Sequence, residues 1–302
     1  MTFSKIFILG AGAIGSVYGA LLSEKNDVTL IGNKAHVGTI NAKGLSIADD
    51  VKKTFHPKAE TEINSIPKKA LVILTTKAYD SARAIEGVKK LLRKDTVILV
   101  LQNGLGNEEI IRRIVGDRSK VLRGVTKMAS EFLKPGKIRF CSGETIIESN
   151  EESAEIVEIF NECGLKTRLS EDIDRELWIK LVFNCVVNPL TALFRVRNCV
   201  IWGDSLGTVR HGVVKECVEV AKAEGIALPE NLAERIDEHV SSYTNFSSMY
   251  QDIAKGKKTE IDFLNGKIVD LGKRHHIQTP INETLVSFIK FLEDKNGIPR
   301  KD

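Results

Sequence analysis

The chain has 302 residues, about twice a typical single-domain length, which excludes a small stapled scaffold and predicts two domains with extended cores. Hydrophobic residues make up 42% and charged residues 28%, a balance that excludes disordered and fibrous classes. The net charge is only +4 and its densest run is Lys255-Gly256-Lys257-Lys258, so neither a nucleic-acid footprint nor a membrane-binding patch is expected.

In the first half, short apolar β-type runs alternate with helical patterns. Strands are predicted at 5–9, 28–31, 71–75 and 96–101, and helices at 13–24, 79–92 and 108–115. The strands lack in/out alternation, as a parallel sheet buried on both faces requires. The N-terminal apolar stretch 6–22 carries four glycines and no basic flank, and reads as strand, turn and helix rather than as a signal peptide. Residues 121–140, broken by Pro135-Gly136, predict extra, partly antiparallel strands, and 154–161 a further helix. Near Ser170-Glu171-Asp172, an N-cap followed by first-turn acids, the pattern becomes helical throughout. Helices are predicted at 173–188, 205–224, 229–243, 260–275 and 283–294, which divides the chain into domains 1–169 and 170–302.

The five cysteines, Cys141, Cys163, Cys185, Cys199 and Cys217, are odd in number and never closer than 14 residues. That spacing suits neither a metal knuckle nor a disulfide framework, and it predicts a reducing, cytoplasmic setting. His275 and His276 are adjacent in a predicted helix and point apart, so no metal site is expected. Trp178, Trp202 and Phe183 read as core packing.

Gly10-Ala11-Gly12-Ala13-Ile14-Gly15 satisfies GxGxxG between a predicted strand and a predicted helix, the context a dinucleotide-binding turn requires. Gly10 permits the tight turn, Gly12 lets the backbone approach a pyrophosphate, and Gly15 allows close helix–strand packing. After the second strand, where NAD-binding versions carry an acid, this chain has Asn33 and Lys34. Nothing there repels a 2′-phosphate, so NADP is expected, although Lys34 also reads as an ordinary loop lysine. Lys77 and Asn103 end two later strands, on the side where open α/β sheets bind ligands.

In the predicted helix Glu176-Leu-Trp-Ile-Lys180-Leu-Val-Phe-Asn184-Cys-Val-Val-Asn188-Pro189, only Lys180, Asn184 and Asn188 are polar between 177 and 188. Their i, i+4, i+8 spacing makes one stripe, drifting about 40° per step, on an otherwise apolar helix that Pro189 is expected to end or kink. The functional reading is a row of donors facing a reducible carbonyl at the floor of an interdomain cleft; the structural one is a satisfied core stripe with Lys180 snorkelling outward.

Taken together, GAGAIG, Lys77 in LTTKAYD, Asn103 in QNG, the WIKLVFNCVVNPLTAL helix, and Ser247-Ser248-Met249-Tyr250-Gln251-Asp252 followed by Thr259-Glu260-Ile261-Asp262 resemble the ketopantoate reductase (2-dehydropantoate 2-reductase) family over essentially the whole chain. The resemblance implies an N-terminal Rossmann-type doubly wound α/β domain and an all-α C-terminal domain like that of 6-phosphogluconate dehydrogenase. It also implies NADPH-dependent reduction of 2-dehydropantoate to (R)-pantoate on the way to coenzyme A, by a monomer or homodimer. By the same resemblance Lys180 is the general acid and Glu260 the carboxylate that keeps it charged. Asn184, Asn188 and Ser248 are substrate contacts, and Lys77 and Asn103 bridge cofactor and substrate. The second strand departs from the family's usual arginine, carrying Asn33 with Lys34 beside it. For Glu260 the bland alternative is a first-turn acid in a capping box with Thr259 and Asp262. Functional rivals are a reductase of another 2-keto or β-hydroxy acid on the same fold and a non-catalytic dinucleotide sensor.

Overall fold

The structure, a computed structural model, describes residues 3–48 and 52–297. The chain divides into two units, residues 1–102 with 106–173, and residues 103–105 with 174–302.

The first unit opens with β1 (Lys5–Leu9), α1 (Ala13–Leu22) and β2 (Val28–Ile31), then α2 (Lys34–Lys43), β3 (Leu45–Ala48), β4 (Lys52–Phe55) and β5 (Lys58–Glu60). It continues through β6 (Ala70–Leu74), α3 (Ser81–Val88), β7 (Val97–Val100), α4 (Asn107–Val115) and β8 (Lys120–Thr126). β9 (Ala129–Lys134), β10 (Lys137–Cys141), β11 (Thr145–Glu148), α5 (Ser153–Glu162) and β12 (Thr167–Ser170) complete it.

The main sheet has the order β12-β11-β8-β7-β6-β1-β2-β5. Its strands from β8 to β5 run parallel, while β11 is antiparallel to β8 and parallel to β12. Successive residues face opposite cores, which explains the unbroken apolar runs. Ile6, Ile8, Leu71, Ile73 and Leu99 pack with Tyr18 of α1 and Phe160 of α5. Phe7, Leu9, Val72, Leu74 and Ile98 pack with Ile85 of α3 and Ile111 of α4. Helices thus cover both faces, and the strand order reverses at β1, the place where a doubly wound sheet offers its ligand crevice.

The extra strands expected at 121–140 separate into two roles. β8 is a parallel member of the main sheet, whereas β9 and β10 form an antiparallel pair across Pro135-Gly136 in a second sheet of order β4-β3-β10-β9. α2, β3, β4, β5, β11 and β12 leave no clear apolar pattern in the sequence, because they are short and several are polar.

The second unit contains α6 (Ile173–Phe194), α7 (Gly207–Ala223), α8 (Leu232–Ser242), α9 (Ser248–Ala254), α10 (Asn265–Arg274) and α11 (Pro280–Gly297). α6 is long and apolar enough to cross a membrane by length and composition, but it is the central helix of this unit's core. Leu181, Val182, Cys185 and Val186 pack there against Val213 and Cys217 of α7 and Ile268 of α10. Pro189, expected to end or kink the helix, does not end it: α6 continues to Phe194. The predicted helix at 260–275 also resolves differently, into a 3₁₀ turn at Ile261–Phe263 and then α10. Trp178 is buried as expected, but Trp202 is not a core residue; it is 42% exposed beside the Arg210 guanidinium, 5.6 Å from its ring centroid. Phe183 is half-buried, edge-on to Tyr243.

Candidate active site

The glycine turn sits at the carboxyl end of β1. The amides of Gly10 and Ala11 both donate to the Ile31 carbonyl of β2, at 3.1 and 2.7 Å. Thr75, just beyond β6, donates its hydroxyl to the Gly10 carbonyl at 2.8 Å. Gly10 has φ +115°, and a Cβ there would lie 2.5 Å from the Thr76 amide nitrogen, so only glycine fits. Gly15 lies against the Gly10 carbonyl and the Thr75 hydroxyl, so it too has no room for a side chain. At Gly12, by contrast, a Cβ would meet no atom within 4 Å. The turn is open at that glycine, and no side chain caps α1. The first-turn amides around Ala13 and Ile14, which have no intrahelical acceptor, are therefore left for an anion, and the residues present fit a dinucleotide pyrophosphate.

Asn33 and Lys34 are exposed after β2, but they do not form the simple loop that the sequence suggests. Asn33 is the N-cap of α2, its Oδ1 accepting from the His36 amide at 3.0 Å, and Lys34 is that helix's first residue. The cap occupies the oxygen of Asn33 and leaves its amide N–H groups as donors. Lys77 follows β6 in extended conformation, ahead of the turn that leads into α3. Gln102, at the end of β7, donates to the Ser81 hydroxyl at 2.5 Å.

Asn103 falls with the second unit rather than with the sheet that precedes it. Its neighbour Leu105 is part of the helical core, and Gly104, at φ +85°, packs on Phe263, whose Cβ would stand 2.9 Å from a side chain placed there. The QNG turn is thereby seated on the 3₁₀ turn that immediately follows Glu260.

On α6, Lys180 is half-buried while Asn184 and Asn188 are 8% and 5% exposed. At 1.5 Å rise per residue the three span about 12 Å of one helix face. The Asn184 amide nitrogen is buried with no hydrogen-bond partner among the described residues. Such a donor costs about 1–3 kcal/mol until something accepts from it, which is what a site awaiting a polar ligand looks like.

Two further groups lie in this unit. Glu260 is 6% exposed and precedes the 3₁₀ turn, so it is not the first-turn acid of a helix. Thr259 accepts from the Ile261 amide at 3.2 Å, while Asp262 pairs with Lys290 at 2.6 Å, so no capping box forms. Ser248 begins α9, whose N-cap Ser247 accepts from the Tyr250 amide. The Ser247 hydroxyl lies 2.7 Å from that of Thr191, one turn beyond Asn188 on α6. Thr191 and Ser247 therefore position Ser248 next to the far end of the stripe; the sequence signal for this is the N-capping serine Ser247.

The second unit thus carries Lys180, Asn184, Asn188, Ser248, Glu260 and Asn103, and the first carries the glycine turn, Asn33, Lys34 and Lys77. An ammonium, a carboxylate and several amide donors suit binding of an oxyanion and delivery of a proton to it.

A family model described as ketopantoate reductase PanE/ApbA matches residues 6–151, and its C-terminal counterpart matches residues 172–293. Over 302 residues the chain is 38% identical to a 2-dehydropantoate 2-reductase of Pyrococcus horikoshii, covering 97% of this chain and 99% of that one. Among solved structures it is similar to a PanE/ApbA family ketopantoate reductase from Ralstonia eutropha JMP134, with TM-score 0.91, 32% identity, and coverage of 97% and 100% of the two chains. It is also similar to D-mandelate dehydrogenase in ternary complex with NADH and anilino(oxo)acetate, with TM-score 0.89, 28% identity and the same coverage. These likenesses agree with the Rossmann-type sheet and the helical C-terminal region.

Proposed function

From the premise that the chain belongs to the ketopantoate reductase family, a family of oxidoreductases, we propose that it reduces 2-dehydropantoate to (R)-pantoate with NADPH, on the way to pantothenate and coenzyme A. NADPH held on the glycine turn supplies the hydride. Lys180 donates the proton to the oxygen on which charge develops, and Glu260 keeps that ammonium charged and contacts the new hydroxyl. Asn184, Asn188 and Ser248 orient the keto acid, and Asn103 and Lys77 contact both cofactor and substrate. Lys34 and the free amide hydrogens of Asn33 receive the 2′-phosphate.

The observation that carries this reading is the stripe on α6, a half-buried ammonium followed at one-turn intervals by two buried amides, one with an unmet donor. A second reading, reduction of another 2-keto acid with NADH, is favoured by the similarity to D-mandelate dehydrogenase and by the missing arginine after β2.

The test is oxidation of NADPH and of NADH by the purified chain with 2-dehydropantoate and a panel of keto acids including an aryl one. Highest kcat/KM for the NADPH and 2-dehydropantoate pair is expected. Preference for an aryl keto acid with NADH would select the second reading, and tight cofactor binding without turnover would select a sensor.

A further inference from the structure

Pro189 stands inside α6, and a proline has no N–H to give the carbonyl four residues back, that of Cys185. Its ring also crowds that carbonyl. Cys185 is fully buried, out of reach of bulk solvent, and an isolated helix of this sequence would kink or break there. The replacement comes from Asn265, the first residue of α10, whose Nδ2 donates to the Cys185 carbonyl at 2.9 Å across 80 residues of sequence.

The orientation of that amide is dictated by a buried chain. The Glu216 carboxylate on α7 accepts from the Ile281 and Asn282 amides at the start of α11, at 2.8 and 2.9 Å, and from Asn282 Nδ2 at 2.7 Å. An ionised carboxylate only accepts, so Asn282 must turn its NH₂ to Glu216 and its oxygen away. That oxygen accepts from Asn265 Nδ2 at 2.9 Å, which leaves the second hydrogen of the same NH₂ for Cys185. Glu216, Asn282 and Asn265 are 7%, 0% and 0% exposed. The Asn265 oxygen is buried without a partner among the described residues, so the side chain is kept for its donors.

The turn of α6 that lacks its own bond runs from Cys185 to Pro189, so it begins one residue after Asn184 and contains Asn188, and Asn265 follows Glu260 by five residues. We propose that Asn265 is a positioning residue: it supplies the hydrogen bond that Pro189 deletes and so locks the Lys180–Asn184–Asn188 stripe against the segment bearing Glu260. The link to catalysis rests on the function proposed above, whereas the bond exchange itself does not.

A double-substitution cycle tests it, because Pro189→Ala restores the helix amide whose absence makes Asn265 necessary. Asn265→Ala is expected to lower the thermal midpoint and to reduce kcat about 10²-fold, with a smaller change in KM and a moved limb of the pH–rate profile. In Pro189→Ala/Asn265→Ala the midpoint, kcat and pH profile should return to within about threefold of the rate of Pro189→Ala alone. If Asn265→Ala does not fold, a folded double variant is the same rescue, and a double variant that also fails to fold overturns the proposal. Additive losses in the midpoint refute the bond exchange. Coupling in the midpoint with additive losses in kcat and an unmoved pH profile refutes the positioning role. A wild-type chain inactive on every keto acid would refute the proposed function, while the midpoint cycle would still decide the exchange.

Discussion

Nε2 of His36 lies 3.0 Å from the Ser16 hydroxyl, tying α2 to the first turns of the dinucleotide helix. The ring's other nitrogen accepts from the Gly136 amide at 3.0 Å, so Nε2 carries the single proton and the imidazole is neutral. Burial pushes its pKa below the ordinary 6.5. The folded state therefore binds fewer protons than the unfolded one just below that value. This contribution is fully present above pH about 6.5 and is lost as pH falls toward the lowered folded pKa. Denaturant midpoints at pH 7.5 and 5.5 should drop more on acidification in the wild type than in His36→Gln; parallel slopes would refute the assignment.

Gly10 and Gly12 belong to one motif but should respond differently. Gly10→Ala forces a side chain onto the Thr76 backbone at φ +115° and should unfold or strongly destabilise the first unit. Gly12→Ala meets nothing and has an ordinary extended backbone, so its thermal midpoint should stay near wild type while NADPH affinity falls about tenfold or more. Isothermal titration with melting curves separates the two, and unchanged affinity in Gly12→Ala would remove the cofactor from this turn.

Lys180→Ala should lower kcat about 10²–10⁴-fold, the range for a positioned acid, with little change in NADPH affinity. Glu260→Gln should alter the pH–rate profile as well as the rate. Steady-state kinetics across pH check both, and near-full turnover by Lys180→Ala would eliminate it as proton donor.

Asp237 joins α8 to α7 through Arg210, whose Nε donates at 2.9 Å, and it also meets His211 Nε2 at 2.9 Å. Burial acts to raise its pKa, but the hydrogen bonds from Arg210 and His211, with their charges, outweigh it and hold the carboxyl below its usual value. A depressed carboxylate stabilises the fold above the unfolded pKa of about 3.9, and that stability goes as pH falls through the folded value. Asp237→Ala leaves Arg210 buried without a counter-charge, bonded only to the Ile201 and Gly203 carbonyls, and should cost about 3–5 kcal/mol in urea unfolding at pH 7, with the deficit shrinking at acid pH. A pH-independent deficit would show the loss to be packing alone.

Much of the candidate site is legible in the chain because it is written in contiguous residues. β1 and β2 fall where the apolar runs place them, the glycine turn is a local backbone requirement, and the stripe follows from the helical period. Composition and spacing alone also set the alternation of strands and helices in the first half and the helical character of the second.

What tertiary structure decided are partnerships between distant residues. Pro189 reads as a helix stop until Asn265, 80 positions beyond Cys185, arrives with a donor. Trp202 reads as core until the Arg210 guanidinium takes its face at the surface. Asn103 reads as the end of a sheet strand until Gly104 and Leu105 carry it into the helical core. The first class of feature is settled by torsions and by the side-chain period of a single element. The second is settled by which buried polar group has lost its own donor and which distant side chain folding brings within 3 Å of it.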